Sequence, residues 1–230
     1  MKRLILMTVL TATAVFTVGC GSADNSSLQK ADQSVSITEN NESDTIKNSD
    51  ESKILIAYFS YPLTDGVDAS SIASRVIVDG ELTGSVEYMA KVIQSQTGAD
   101  IFTIHATESY GDDFGTVADK AQDEQRKEIL PALSTHIENL DDYDTIFVGY
   151  PIWWYDMPQV MYSFFDEYDF SGKTIIPFNS HGGSRFSGSV ERITDLEPNA
   201  TVRTDGLTID RDSVSKSGDA IIEWINGLGL

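Results

Sequence analysis

The sequence contains a single cysteine, Cys20, and only three histidines, and both shortages exclude kinds of chemistry. One cysteine cannot form a disulfide bond within the chain. His105, His136 and His181 are far apart and lack the spacing of metal ligands, so we predict no metal site. Basic residues are also scarce, since 16 Lys and Arg stand against 36 Asp and Glu and give a formal net charge of −20. Such a surface predicts no nucleic-acid partner and suits a basic protein, or it simply maintains solubility.

Several motifs of nucleotide-binding and hydrolytic enzymes are missing as well. The chain has neither G-x-G-x-x-G nor G-x-x-x-x-G-K-S/T, which disfavours a nicotinamide-dinucleotide fold and a P-loop nucleotidase. It has no G-x-S-x-G elbow, so hydrolase chemistry lacks support. The sequence therefore supports none of these enzyme classes, and we predict no catalytic residue.

The N-terminus has the pattern of an export signal. Lys2 and Arg3 precede an apolar run over residues 4–18, and the run ends at Thr17-Val18-Gly19-Cys20, which resembles a bacterial lipobox. We predict a signal peptide over residues 1–19 and a lipidated Cys20 that anchors the exported protein to the cell membrane. An uncleaved anchor and ordinary secretion are the alternatives, although the run is short for a membrane span.

Residues 20–52 contain many Ser, Asn, Asp, Glu and Gln and almost no large apolar residue. Such a segment cannot bury a core, so we predict a disordered tether that carries the lipidated cysteine. The folded domain is predicted to cover residues 53–230.

Strand-like and helix-like stretches alternate through this domain. Apolar or β-branched runs predict five strands, over residues 54–59, 100–104, 144–150, 173–179 and 201–209, the last interrupted at 205–206. Helical periodicity predicts five helices, over residues 84–97, 116–130, 157–168, 189–196 and 212–226. Asp156 is the candidate N-cap of the third helix, and residues 60–83 are predicted as a long loop. This alternation predicts an α/β fold, a three-layer, doubly wound, five-stranded parallel sheet.

The loops that follow the strands are the expected ligand sites, because open α/β sheets bind ligands at the carboxyl ends of their strands. After the first strand come Ser60 and Tyr61, and the first helix is entered through four further residues: Thr83, Gly84, Ser85 and Val86. Hydroxyl groups, a glycine and the free N–H groups of a helix N-terminus suit a phosphate. Alone, this stretch is equally consistent with a turn and an N-cap.

The other two loops contain aromatic residues and glycines. After the third strand come five residues that offer a flat surface for stacking: Pro151, Ile152, Trp153, Trp154 and Tyr155. An isolated Trp-Trp pair would more simply place one ring in the core and the other on the helix. After the fourth strand, a Gly-rich loop over residues 180–188 includes His181, Gly182, Gly183 and Ser184. His181 is a ligand contact, a general acid or a turn residue. Together the three loops predict a ligand with a phosphate at one end and a flat heterocycle at the other.

Four stretches of the domain resemble flavodoxins, in particular the bacterial flavodoxin-like group with a Tyr-Pro-x-Trp-Trp loop. They are residues 54–60, 83–87, 143–158 and 170–184. The resemblance implies noncovalent FMN binding, strand order 2-1-3-4-5 and transfer of one or two electrons. Val86 stands where the family often has Thr, and Tyr155 where it often has Gly. A bulky Tyr155 would hinder the peptide movement by which flavodoxins stabilise the flavin semiquinone.

The function predicted on this basis is electron transfer by an FMN-binding redox protein at the extracytoplasmic membrane face, with a redox protein or a small electron acceptor as partner. The acidic surface and apolar stacking predict a low reduction potential. An FMN-dependent NAD(P)H:quinone-type oxidoreductase is the first alternative, with Tyr110 or His181 assisting the acceptor. A non-redox binding module that has lost the flavin is the second alternative.

Overall fold

The computed structural model describes residues 53–63 and 74–230, and the structural statements that follow concern these two ranges. The predicted signal peptide, Cys20 and the tether up to residue 52 lie outside them. Within the two ranges, no helix has the length and apolar character needed to cross a membrane.

The strands of the domain form one parallel sheet and one small hairpin. In chain order they are β1 Ile54–Phe59, β2 Arg75–Val78, β3 Glu81–Gly84, β4 Asp100–Ile104, β5 Thr145–Pro151, β6 Thr174–His181, β7 Thr201–Val202 and β8 Leu207–Asp210. The parallel sheet has the order β4-β1-β5-β6, and β7 and β8 both pair with β6. When β7 and β8 are taken as the one interrupted strand that the sequence predicts, this is the order 2-1-3-4-5.

Two apolar clusters, one on each face of the sheet, confirm the three-layer architecture. In β1, Leu55 and Phe59 belong to one cluster, whereas Ile56 and Tyr58 belong to the other. All residues of β5 are buried, as expected for a central parallel strand that is covered on both faces. The continuous apolar runs of the sequence therefore correspond to strands between two helical layers.

Among the described residues, five α-helices cover the sheet. They are α1 Ser85–Thr97, α2 Phe114–Lys127, α3 Gln159–Glu167, α4 Ser189–Leu196 and α5 Gly218–Gly227, and a 3-10 segment, Arg211–Lys216, precedes α5. Helices α1 and α5 contribute to the cluster on one face, and α2, α3 and α4 to the cluster on the other. α1 ends at Gly98, which has the left-handed conformation expected of a C-terminal glycine cap.

Three helices differ from the prediction at a boundary. α5 begins six residues later than predicted, because the 3-10 segment Arg211–Lys216 takes up the start of the predicted range 212–226. α2 ends three residues early, because Glu128 takes a left-handed conformation with φ 53° and donates its N–H to the last turn. α3 begins after Pro158, so Asp156 is not its N-cap. The carboxylate of Asp156 accepts hydrogen bonds from the Met157 N–H at 2.8 Å and the Tyr162 hydroxyl at 2.9 Å instead.

The predicted long loop over residues 60–83 is wrong in its second half, where the structure has an antiparallel hairpin of β2 and β3. The hairpin turns at Asp79 and Gly80, which have φ angles of 52° and 84°. Positive φ at both central residues is typical of the two-residue turns that match strand twist, and Asp-Gly is a favoured sequence for them. The hairpin leads directly into α1, so Gly84 is both the end of β3 and the N-cap of α1.

Glu197, which follows α4, is expected to make the stability of the domain depend on pH. Burial of the carboxyl group, reinforced by the negative charge of Asp169 and opposed by the Phe170 N–H, raises the pKa of Glu197 to about 7. Because the folded pKa lies above the unfolded pKa, the folded state binds more protons between the two values. Glu197 therefore lowers the free energy of unfolding as the pH rises from about 4.5 to about 7.

Urea denaturation of the Glu197→Gln variant from pH 4.5 to 8 is expected to show a smaller loss of stability over this interval than the wild type. Glu191→Gln is the matched control, because it makes the same change at an exposed position of α4. Parallel stability–pH curves for Glu197→Gln and the wild type would contradict the assignment.

Candidate functional site

The carboxyl end of β1 and the start of α1 form a small polar site around Gly84. A Cβ atom on Gly84 would lie 1.9 Å from Ser60 Oγ, so the absence of a side chain allows the Ser60 hydroxyl to contact the backbone. The hydroxyls of Ser60 and Ser85 are both buried, and neither has a hydrogen-bond partner among the described residues. An unsatisfied buried hydroxyl costs about 1–3 kcal/mol. A ligand with anionic oxygens would satisfy both groups, so this site fits a phosphate.

Arg75 adds a positive charge that the sequence did not lead us to predict. It pairs with Gly84 across the β2–β3 hairpin. Residues directly opposite each other in an antiparallel pair project to the same face, so the side chain of Arg75 lies on the side of Gly84 that faces Ser60. Arg75 is buried and donates a hydrogen bond to the Leu63 carbonyl. The prediction of a loop over residues 60–83 gives no indication that Arg75 lies in β2.

The first turn of α1 already uses part of its hydrogen-bonding capacity. The Gly84 N–H donates to Glu87 Oε2 at 3.4 Å, and the Ser85 N–H donates to the Ser74 carbonyl at 2.9 Å. Lys91 Nζ lies 2.6 Å from Glu87 Oε1 and, against the opposing effect of burial, keeps the pKa of Glu87 below its usual value. The Lys91 charge thus compensates a carboxylate that would otherwise repel an anion.

The structure gives less direct support for the remaining residues predicted to bind the phosphate, which are Val86, Thr83 and Tyr61. Val86 is fully buried in the core, so its methyl groups pack where a threonine would have offered a hydroxyl. Thr83 is half-buried in β3. The Tyr61 hydroxyl donates to the Gly111 carbonyl at 2.9 Å and lies 2.8 Å from Ser109 Oγ, which connects the end of β1 to the loop before α2.

Trp153 lies in the core, whereas the Trp-Trp sequence of this loop predicts two adjacent exposed tryptophans, so that prediction is wrong for Trp153. It is 7% exposed and packs edge-on against the rings of Phe59, Tyr61 and Tyr110. Its indole Nε1 donates to Ser74 Oγ at 2.8 Å. Since Ser74 also accepts from the Ser85 N–H, this one residue connects the aromatic loop to the polar site at α1.

Trp154 and Tyr155 are the exposed aromatic residues of the loop, at 43% and 74% exposure. They form the two central positions of a tight turn in which Trp153 and Asp156 exchange backbone hydrogen bonds of 2.8 and 3.0 Å. The Trp154 indole donates to the Ala118 carbonyl of α2 at 2.9 Å. One ring in the core and the other on a helix is the arrangement expected of an isolated pair.

The Gly-rich loop begins two residues later than predicted, because Ser180 and His181 are buried residues of β6. His181 Nδ1 accepts a hydrogen bond from the Gly183 N–H at 2.8 Å and so holds the loop in its turn. Burial, opposed by Asp210 and reinforced by Arg185, lowers the pKa of His181, which favours the neutral ring that can accept this bond. Of the three roles considered for His181, the contacts support the turn residue.

A cavity of about 480 Å³ lies between the aromatic loop, the Gly-rich loop and α2. It brings together seven of the predicted site residues and its wall is completed by one face of α2 and by Arg211. The seven are Ile152, Trp153, Trp154, Tyr155, Gly182, Gly183 and Ser184. Pro151, His181 and the residues around Gly84 lie outside its lining. The structure therefore has two adjacent parts, an aromatic cavity and a polar site, connected through Ser74.

The α2 wall and Arg211 were missed by sequence reasoning. The sequence of α2 suggests a polar, charged helix, yet its Phe114, Val117, Ala118 and Ala121 face the cavity. Their spacing of three to four residues was the available signal. Arg211 follows the last strand and had no signal of its own. In the described ranges, no group of three or more His, Cys, Asp or Glu residues is arranged to hold a metal ion.

These features define a three-layer α/β domain with a candidate ligand site at the carboxyl ends of its central strands. The chain belongs to the flavodoxin family, because the family model described as Flavodoxin matches residues 75–228. No curated protein matches the sequence.

Solved structures of flavoproteins share the fold of this domain. A Bacteroides uniformis protein assigned as a flavoprotein is 26% identical, with a TM-score of 0.60 over 76% of this chain and 98% of its own. A similarly assigned protein from Bacteroides eggerthii is 24% identical, with a TM-score of 0.59 over 78% and 99%. A flavoprotein from Lactobacillus acidophilus in complex with FMN is 19% identical, with a TM-score of 0.51 over 72% and 97%.

Tyr155 is expected to strain the aromatic turn, because its φ of 64° lies in the left-handed region that disfavours most side chains. Asn tolerates this region better than Tyr, and Val tolerates it worse. Since the Tyr155 side chain is largely exposed, few contacts are lost on substitution. We expect Tyr155→Asn to raise the free energy of unfolding by about 0.5–1 kcal/mol and Tyr155→Val to lower it by about 1 kcal/mol.

Chemical denaturation of the three proteins without ligand tests this order. If Tyr155→Val were as stable as Tyr155→Asn, backbone strain at this position would be disproved.

Proposed function

We propose that the domain binds FMN noncovalently and acts in electron transfer. The observation that carries the proposal is the cavity of about 480 Å³ beside two buried serine hydroxyls that lack partners, in a chain of the flavodoxin family. FMN, when bound, supplies a ring that takes up and releases one or two electrons. The FMN of the Lactobacillus acidophilus complex, a structure of the same fold, is in keeping with this choice of ligand.

The residues of the two parts have separate roles in this proposal. Ser60 and Ser85 hold the phosphate through their hydroxyls, and Arg75 supplies positive charge on the same side of the backbone. Trp154 and Tyr155 cover one side of the ring, and the main chain at Gly182 and Gly183 approaches its polar edge. Trp153 supports the aromatic loop by packing in the core. Electron transfer requires no acid or base from the protein.

Titration with FMN tests the proposal. The full chain, purified and freed of ligand, is expected to quench flavin fluorescence with a dissociation constant in the micromolar range or below and to shift the visible bands of the flavin. The Ser60→Ala,Ser85→Ala variant, which lacks both phosphate-facing hydroxyls, is expected to bind more weakly by about tenfold or more. A wild-type protein that takes up no FMN would support the non-redox binding module instead.

A carrier is favoured over an NAD(P)H:quinone-type oxidoreductase by the positions of two residues. Tyr110 and His181 are the side chains considered for assisting an acceptor, and both are buried and absent from the cavity lining. Burial, reinforced by Glu124, also raises the pKa of the Tyr110 hydroxyl far above its usual value, which makes it a poor proton donor. Sustained NAD(P)H oxidation by the FMN-loaded protein with added quinone would favour the enzyme.

The location at the outer face of the cell membrane remains part of the proposal. It is supported by the lipobox-like sequence that ends at Cys20 and by the polar tether that follows. A redox protein or a small electron acceptor is the expected partner, and the net charge of −20 suits a basic protein surface. We expect Cys20→Ser to move the protein from the membrane fraction to the soluble fraction. Unchanged membrane retention would contradict lipidation.

A further inference from the structure

The cavity differs in charge from the rest of the protein. Among the residues that line it within the described ranges, Arg211 is the only one with a charged side chain. The chain as a whole has a formal net charge of −20. A pocket that presents one positive charge and no negative charge in so acidic a protein favours a ligand that is, or becomes, negatively charged.

The guanidinium group of Arg211 is held against the Gly-rich loop. Its Nη1 and Cζ atoms lie 2.9 and 3.2 Å from the position that a Cβ atom on Gly182 would occupy. Glycine at position 182 therefore leaves the space in which the guanidinium lies. The loop residue that is proposed to approach the polar edge of the ring is thus in direct contact with a positive charge.

Arg211 is only weakly engaged by the protein. Its Nε lies 3.8 Å from Asp212 Oδ1, and the Asp212 carboxylate is largely exposed to solvent. Within the part of the chain that the structure describes, neither Nη atom of Arg211 has a hydrogen-bond partner. A guanidinium whose Nη atoms have no partner among the described residues can stabilise negative charge on a ligand in the cavity.

We propose that Arg211 raises the reduction potential of the FMN bound in this cavity. The inference rests on the proposed function. Uptake of two electrons from a reductant and one proton from solvent leaves reduced FMN with one more negative charge than the oxidised form. A nearby guanidinium stabilises that added charge, so it binds the reduced form more tightly than it otherwise would.

The acidic surface is expected to lower the reduction potential of FMN, whereas Arg211 is expected to raise it. Measurements at different ionic strengths separate the two effects. Exposed charges further away than about 10 Å are largely screened at 0.1 M salt, whereas a charge in the wall of a partly buried cavity is screened much less. Added salt is therefore expected to weaken the effect of the surface carboxylates and to preserve that of Arg211. Arg211 therefore counteracts, at the site itself, the low reduction potential expected from composition alone.

The midpoint potential of the FMN-loaded full chain, measured by dithionite titration against a reference dye at 0.1 and 0.5 M salt, tests the proposal. Arg211→Gln is expected to weaken the binding of reduced FMN relative to oxidised FMN by about tenfold, which lowers the potential of a two-electron couple by about 30 mV at both salt concentrations. Arg211→Lys keeps the charge, so its midpoint potential is expected to stay close to that of the wild type.

Arg126→Gln is the matched control, since it removes the same charge from an exposed position near the end of α2, outside the cavity lining. Equal potentials for Arg211→Gln and Arg126→Gln would overturn this inference alone. A wild-type chain that takes up no FMN would overturn the proposed function together with it. If Arg211→Gln does not fold, Arg211→Met, which also removes the charge, is measured instead. A wild-type potential in that variant would overturn the role of Arg211.

Discussion

Replacing Gly84 with alanine is expected to weaken FMN binding by at least about 100-fold and to lower the free energy of unfolding by about 1–3 kcal/mol. The new Cβ atom would lie 1.9 Å from Ser60 Oγ and 2.9 Å from Ser60 Cβ. A rotation of the Ser60 side chain relieves the first contact but not the second, so the backbone of β1 or of the hairpin must move. The movement separates the hydroxyls that are proposed to hold the phosphate.

Fluorescence titration with FMN and urea denaturation measure the two effects of Gly84→Ala separately. Gly227→Ala is the matched control, because a Cβ atom at that position meets nothing within 4 Å. In the Ser60→Gly,Gly84→Ala variant the clash with the serine is removed, so we expect stability to recover in part while FMN affinity stays low. Wild-type affinity in Gly84→Ala would rule out a phosphate site at the start of α1.

Truncation of the two adjacent tryptophans is expected to lower the free energy of unfolding by very different amounts. Trp153→Ala removes a buried ring that packs against Phe59 and Tyr110, with centroid distances of 5.4 and 5.2 Å, and leaves Ser74 Oγ without its indole donor. Truncation of a buried Trp typically costs about 3–5 kcal/mol. We therefore expect Trp153→Ala to lower the free energy of unfolding by this amount, measured by urea denaturation.

Trp154→Ala is the internal comparison for Trp153→Ala. The Trp154 ring is partly exposed and contacts α2 through one hydrogen bond, so its loss is expected to destabilise the domain by only about 1 kcal/mol. Since its ring is proposed to cover the flavin, FMN affinity is expected to fall by about fivefold to tenfold. Equal losses of stability in the two variants would contradict the division between a supporting and a covering tryptophan.

The elements of the fold were predictable because their signals are local. The apolar run that forms β5, the helical periodicity of α1 and the glycine at position 98 each indicate an element or its end within a few residues. The β2–β3 hairpin has such a signal too, in Asp79-Gly80, which the prediction of a long loop over residues 60–83 does not use. The capping role assigned to Asp156 was wrong, because a hydrogen bond to the more distant Tyr162 holds its carboxylate elsewhere.

The candidate site was predictable only in outline. That loops at the carboxyl ends of parallel strands converge follows from the topology, and Gly182 and Gly183 do line a cavity with the aromatic loop. The sequence could not show that Ser74 connects this loop to α1, since Ser74 lies far from Trp153 along the chain. Nor could it show that Arg211 contacts Gly182, because β8 returns to the sheet beside β6 only in the folded chain.

The sequence by itself determined the order of strands and helices, the acidic surface and the three loops that form the candidate site, because hydrophobic periodicity, charge and turn residues act over short distances. The tertiary structure decided which tryptophan is buried, which hydroxyls lack partners and which positive charges approach the site. These properties depend on packing between residues that are distant in the chain, and such packing exists only once the sheet and its helices have assembled.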